Sequence, residues 1–228
     1  HCEKKTDHDG ETLFMHAVTN KNIDVIKYIY QRYCRSINVN QENNMGATAF
    51  MLALARNPNN KAIDYIFSRF EDIIDITKKD HLGNTSFAYT AQNSNIDIMQ
   101  YFYNMYGSTI RINYYNYNHE TALMIAVKRS NLEVVKFICE TYQHSIDINK
   151  KNREGESALM LAAWNSSLGV VKCLVETFHD IIRINDKNSN NSTIFISAVL
   201  NPDPAVIQYI YKIFKFILQR SMKTILDF

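Results

Sequence analysis

The chain has 228 residues, 46% of them hydrophobic, and a formal net charge of +2. That is ample for a sizeable core, yet no run of about 18 uncharged apolar residues exists to cross a membrane, because the longest, Tyr209 to Leu218, is broken by Lys212 and Lys215. A pI near 8.3 falls short of the basic footprint, above about 9, of a nucleic-acid binder.

Four cysteines, Cys2, Cys34, Cys139 and Cys173, make no CxxC pair. Cys139 and Cys173 sit inside apolar helical patterns, where a free thiol packs as a small hydrophobe. That usage points to a reducing, cytoplasmic compartment.

The chain is organised by a period. Hydroxyl residues two past a polar turn, Thr12, Thr48, Thr85, Thr121, Ser157 and Thr193, recur at steps of 36, 37, 36, 36 and 36 residues. A fixed period of this size means stacked units with one continuous core, an all-α repeat solenoid read as a single domain.

In repeat one (1–42), Thr12 is placed to cap a helix whose Phe14, Ala17 and Val18 share a face. Asn22 then caps a second helix with an apolar stripe of Val25, Ile26 and Ile29. Repeat two (43–79) carries one extra residue around Asn57-Pro58-Asn59. Repeat three (80–115) has Thr90 where the others have Ala17, Ala53, Ala126, Ala162 and Ala198. Those alanines suit close helix crossings that tolerate no bulk, so repeat three is expected to be the loosest. Repeats four (116–151) and five (152–187) cap their second helices with Asn131 and Ser167, as Asn59 and Asn95 do in repeats two and three. In repeat six (188–228) Asp203 is the cap, and Pro204 takes the first helical position, where its missing donor costs nothing. The closing apolar helix either caps the stack, is covered by sequence beyond Phe228, or runs into a partial seventh repeat at Thr224 to Asp227.

Between repeats, alternating segments such as Ile37-Asn38-Val39-Asn40 run into polar turns, which predicts short β-hairpins. Gly10, Gly46, Gly83 and Gly155 fall where positive φ is needed, with His119 and Asn191 in their place in the other two repeats.

GETLFMHA, GATAFMLA, HETALMIA and GESALMLA, followed by DVIKYI, EVVKFI or GVVKCL and then SINVN or SIDINKKN, resemble the ankyrin-repeat family over residues 7 to about 211. The resemblance implies stacked helix-turn-helix units joined by β-hairpins. It departs from the family pattern where Leu, Ala, Ser or Ile replaces the proline and Met15, Met51, Ala88, Met124, Met160 or Ile196 replaces the histidine. The histidine's inter-repeat hydrogen bonds are therefore expected to give way to apolar packing.

Nothing in the sequence assembles a catalytic site. The seven histidines are scattered, and the acids Glu71, Asp72 and Asp75 read as a solvated helix end. No enzyme activity, cofactor or metal is expected, and no nucleic acid or membrane span as partner. The family resemblance instead implies a non-catalytic scaffold for protein–protein interaction, whose turn tips and first helices line a concave face for a protein or extended peptide. The residues assigned to that face are Met45, Arg56, His81, Leu82, Tyr117, Lys128, Arg129, Arg153, Trp164 and Asn165. Exposed Trp, Tyr and Arg are the types enriched at binding hot spots. A second reading, prompted by the opening His and the apolar C-terminal helix, is a structural or regulatory segment excised from a larger channel, enzyme or effector.

Overall fold

The computed structural model describes residues 6–226, with side chains as far as Lys215. Cys2, and Asp227 at the end of the anticipated seventh repeat, lie outside the described residues. The chain forms two compact units, His1–Asn118 and His119–Phe228.

The first unit holds three helix pairs: α1 (Leu13–Val18) with α2 (Ile23–Tyr33), α3 (Ala49–Arg56) with α4 (Asn60–Phe70), and α5 (Ser86–Thr90) with α6 (Ile96–Tyr106). The second holds α7 (Ala122–Lys128) with α8 (Leu132–Tyr142), α9 (Ala158–Asn165) with α10 (Leu168–Phe178), and α11 (Ile194–Val199) with α12 (Pro204–Leu226). Within each unit first helices pack on first helices and second on second: α1, α3 and α5, then α7, α9 and α11, with α8 on α10. Eleven of these helices have 5 to 11 residues. That is too short to persist alone in water, so packing against neighbours holds them.

The caps fall where the period predicts. Thr12, Thr48, Thr85, Thr121 and Ser157 accept from the amide three residues on. Asn22, Asn59, Asn95 and Asn131 cap the second helices through Oδ1, and Asp203 accepts from Ala205. Two expected caps are not made: neither Thr193 nor Ser167 bonds its helix through the side chain. Met15, Met51, Met124 and Met160 are buried, as apolar replacements for the histidine require. Ile196 corrects that expectation for repeat six, being 49% exposed.

The expected β-hairpins are not formed. Among the described residues the turns carry isolated antiparallel bridges, such as Glu42 to Thr48 and Lys151 to Ser157, and no strand. The reason is local. In four turns an Asx side chain, Asp7, Asn43, Asp80 or Asn188, accepts the amides two and four residues on, and in a fifth Asn152 accepts the amide of Glu156, four residues on. The side chain thereby replaces the second strand's ladder partner.

A second polar series joins the repeats. Two residues before the second cap, Asn57 Nδ2 donates to Val18 O and Asn20 O at 2.8 and 2.9 Å. Asn93 repeats this on Leu54 and Asn57, and Asn201 on Ala163 and Ser166. Each also accepts the amide of its own cap residue. In repeat five Ser166 Oγ donates to Val127 O instead. Each buried polar group in this series is satisfied, which is what lets it sit in the core.

Candidate interaction surface

Because the Asx side chain closes each turn from within, the two tip residues project outward and their backbone is left to meet the neighbouring tip. Asn44 N donates to Asp9 O, His81 N to Met45 O and Tyr117 N to Leu82 O, at 2.9, 2.8 and 2.7 Å. Ser189 N does the same to Glu154 O in the second unit. Gly46 and Gly83 have φ of +77° and +81°, and the next tip covers them. A Cβ on Gly46 would stand 2.6 Å from His81 N, and one on Gly83 3.1 Å from Tyr117 Cδ1. Glycine is needed there for close approach as well as for its backbone geometry. His119 and Asn191 adopt the same left-handed conformation without being glycine.

In the first unit this frame brings Met45, His81, Leu82 and Tyr117 into one row on consecutive tips. Met45, Leu82 and Tyr117 are 53%, 41% and 57% exposed. Tyr117 is not alone in its segment, because Tyr115 is exposed as well, with Tyr114 stacked beside it and bonded to Gly83 O. Arg56 stands off that row at the end of α3, its Nη1 2.9 Å from Glu11 Oε1.

In the second unit, Lys128 and Trp164 occupy the same register at the ends of the packed helices α7 and α9. Trp164 is 50% exposed. Arg129, Arg153 and Asn165 are exposed too, and Asn165 O accepts from Ser130 Oγ. Lys128 is bound to Glu120, Nζ to Oε1 2.6 Å. Two of the assigned cations, Arg56 and Lys128, thus serve acids of the protein itself, a duty the sequence reading missed. The signal was there in Glu11 and Glu120, each directly before its capping threonine.

Among the described residues one group of ligand-type side chains does converge: Asp7, Glu11 and His16 place their polar atoms within 4.8 Å of one another. Their bonds account for it without an ion. His16 Nε2 lies 2.7 Å from Asp7 Oδ2 and Nδ1 3.7 Å from Glu11 Oε2, while the Arg56 guanidinium shares the Glu11 carboxylate. The Glu11 amide, with His16 beside it, holds the Asp7 carboxyl below its ordinary 3.8. His8, His81 and His119 are exposed at their tips.

Deeper in the first unit, Tyr89 OH donates to Asp80 Oδ2 at 2.9 Å. Asn84 Nδ2 donates to the same oxygen, and Asn116 Nδ2 to Asn84 Oδ1. Burial, followed by the Asp80 charge, pushes the Tyr89 phenol up, so it stays a donor. This network holds the base of the tips that carry Leu82 and Tyr117.

Among the described residues, no helix is long and apolar enough to cross a membrane. No curated protein matches the chain. Among solved structures, a chain of the complex between the predatory endopeptidase Bd0816 of Bdellovibrio bacteriovorus and the immunity protein Bd3460 matches with a TM-score of 0.67. It is 18% identical, over 91% of this chain and 99% of that one, so the likeness is one of fold. The family model for ankyrin repeats, three copies, matches residues 1–80 and 55–152. With the period, the capped helix pairs and the glycine turns already in place, that match identifies the chain as a member of the ankyrin-repeat family.

Proposed function

We propose that the chain is a non-catalytic interaction scaffold that docks a protein or extended peptide on the concave face lined by its turn tips and first helices. The observation that carries this is the set of large apolar side chains without core duty, Met45, Leu82 and Tyr117 on successive tips and Trp164 on α9. Side chains of this size exposed within each unit are a contact surface in waiting. Family membership supports the reading, since ankyrin repeats generally mediate protein–protein interaction, and the structural neighbour comes from a complex of two proteins. A cytoplasmic setting agrees with free Cys34, Cys139 and Cys173.

Trp164, Arg129 and Arg153 are the anchors of this reading in the second unit, with Asn165 beside them. Met45, His81, Leu82 and Tyr117 are those in the first. Arg56 and Lys128 contribute less, because binding must compete with Glu11 and Glu120. Against a partner captured by the full chain, Trp164→Ala and Arg129→Ala should each cost about 2 kcal/mol or more, roughly 30-fold in affinity by titration calorimetry. Unchanged affinity in both variants removes the site from this face.

A further inference from the structure

The cysteines of the second unit are placed by the same register that orders its helices. Counting from each second-helix cap, the residue six on faces the preceding repeat and the residue eight on faces the following one. In the first unit that pair is Tyr30, eight after Asn22, and Tyr65, six after Asn59, with ring centroids 6.0 Å apart. In the second unit it is Cys139, eight after Asn131, and Cys173, six after Ser167. Helices α8 and α10 pack together, and the two thiols adjoin across that seam with Thr177 at hand. Cys139 is wholly buried and Cys173 partly exposed.

We infer that Cys139 and Cys173 are a peroxide-sensitive dithiol that closes to a disulfide between repeats four and five. The inference does not depend on the interaction reading above. Access and charge divide the roles. Cys173 reaches solvent, and the Cys139 thiol bonding to it, aided by Thr177, holds its thiol below the ordinary value. Cys139 is pushed up by that bond and by burial, so it keeps its proton. The thiolate is the nucleophile, which makes Cys173 the attacking sulfur. It bonds to one oxygen of hydrogen peroxide, the O–O bond breaks, and the departing hydroxide takes a proton to become water. The sulfenic acid left on Cys173 is then attacked by Cys139 sulfur. The S–S bond forms, the S–O bond breaks, and hydroxide leaves with the Cys139 proton as a second water. Two thiols are oxidised by two electrons, and one peroxide is reduced to two waters.

The test uses the full chain with Cys2→Ser and Cys34→Ser, its fold verified by circular dichroism. Brief exposure to a few equivalents of hydrogen peroxide should lower the intact mass by two hydrogens. A non-reducing digest should yield one cross-linked peptide pair containing Cys139 and Cys173, reversed by dithiothreitol. The melting temperature of the oxidised form should rise by about 4–8 °C. In the Cys139→Ala variant, Cys173 should stop at a sulfenic acid captured by dimedone. Either of two results in the Cys139-containing protein overturns the proposal: no change in mass, or oxygen added to Cys173 without a cross-link. Both are read on the protein with its native pair intact, so misfolding of the alanine variant does not blunt the test.

Discussion

The two units build one seam from different side chains. In the first, the second helices meet through rings, Tyr30 on Tyr65 and Phe70 and Phe67 on Tyr106, while Phe102 of α6 lies against Phe50 of α3 and Phe87 of α5 on the first helices. Arg69 lies over both Tyr30 and Tyr65, and Tyr101 OH reaches Asp64. In the second, the thiols of Cys139 and Cys173 take the places of Tyr30 and Tyr65, above a branched aliphatic core of Val134, Val135, Ile138, Val170, Val171 and Leu174 that the first unit shares in Ile26, Ile63, Ile66 and Ile98. Tyrosine rings carry a hydroxyl that must be bonded when buried, whereas aliphatic side chains need only shape. The repeat therefore specifies which positions face which neighbour, and leaves the chemistry at each open. That freedom predicts where the two units should respond differently to mutation.

The largest expected difference is in the polar series between repeats. Asn93→Ala in the first unit leaves Leu54 O, Asn57 O and Asn95 N without their bonds and should cost about 3 kcal/mol. Ser166→Ala in the second frees only Val127 O from a side-chain donor, for about 1 kcal/mol. Urea unfolding of the two variants measures both. Equal losses would mean that the asparagine is dispensable and that the contrast between units is cosmetic.

The next contrast lies under the tips. Asp80 in the first unit is served by Tyr89, four after its capping Thr85. The second unit has Asn152 in place of that acid, and Leu161 in place of Tyr89, four after Ser157. Tyr89→Phe removes a donor from a buried carboxylate and should cost about 1.5–2 kcal/mol in the same unfolding measurement. A neutral result would show that Asn84 alone satisfies Asp80.

How much of this was readable beforehand follows from range. Thr12, Asn22 and their equivalents other than Thr193 and Ser167 are caps satisfied within three residues, so the sequence pattern alone placed them, and Gly46 and Gly83 were marked by the turn they close. The asparagines two before each second cap escaped notice for a physical reason. Their partners lie 35 to 39 residues away, and the extra residue in repeat two moves Asn57 out of line when the repeats are aligned on the turn. Aligned on the second cap, Asn20, Asn57, Asn93, Asn165 and Asn201 coincide, with Arg129 in repeat four. The predicted hairpins erred in the other direction: alternation was present, but Asp7, Asn43 and Asp80 close the turns with side chains. For the surface, exposure of Met45, Leu82, Tyr117 and Trp164 was legible from their place on tips and helix ends. The pairing of Arg56 with Glu11 was not, since it joins residues of different repeats.

A gain in stability is expected where the second unit lacks what the first has. All three turns of the first unit use glycine at positive φ, while His119 holds φ at 59° in the second. His119→Gly should raise stability by about 1 kcal/mol by relieving the left-handed backbone, and Asn191→Gly by less, because asparagine tolerates that region. A loss on His119→Gly in thermal melts would show that the histidine ring contributes more than its backbone costs.

The smallest expected effect belongs to acid, and it acts on the first unit. The Thr77 hydroxyl and amide hold the Asp75 carboxyl below its ordinary 3.8. A carboxyl depressed in the folded state stabilises above its unfolded value, and that contribution is lost as pH falls through the folded value. The contribution of Asp75 should therefore be constant through neutrality and fall away only below about 4. Asp75 is exposed, so solvent screening limits its share to about a few tenths of a kcal/mol. Asp75→Asn should flatten the acid limb slightly without shifting stability at the lowest pH, where the wild-type carboxyl is itself protonated. A variant that instead loses the same increment at every pH would assign the contribution of Asp75 to turn geometry, with its charge irrelevant.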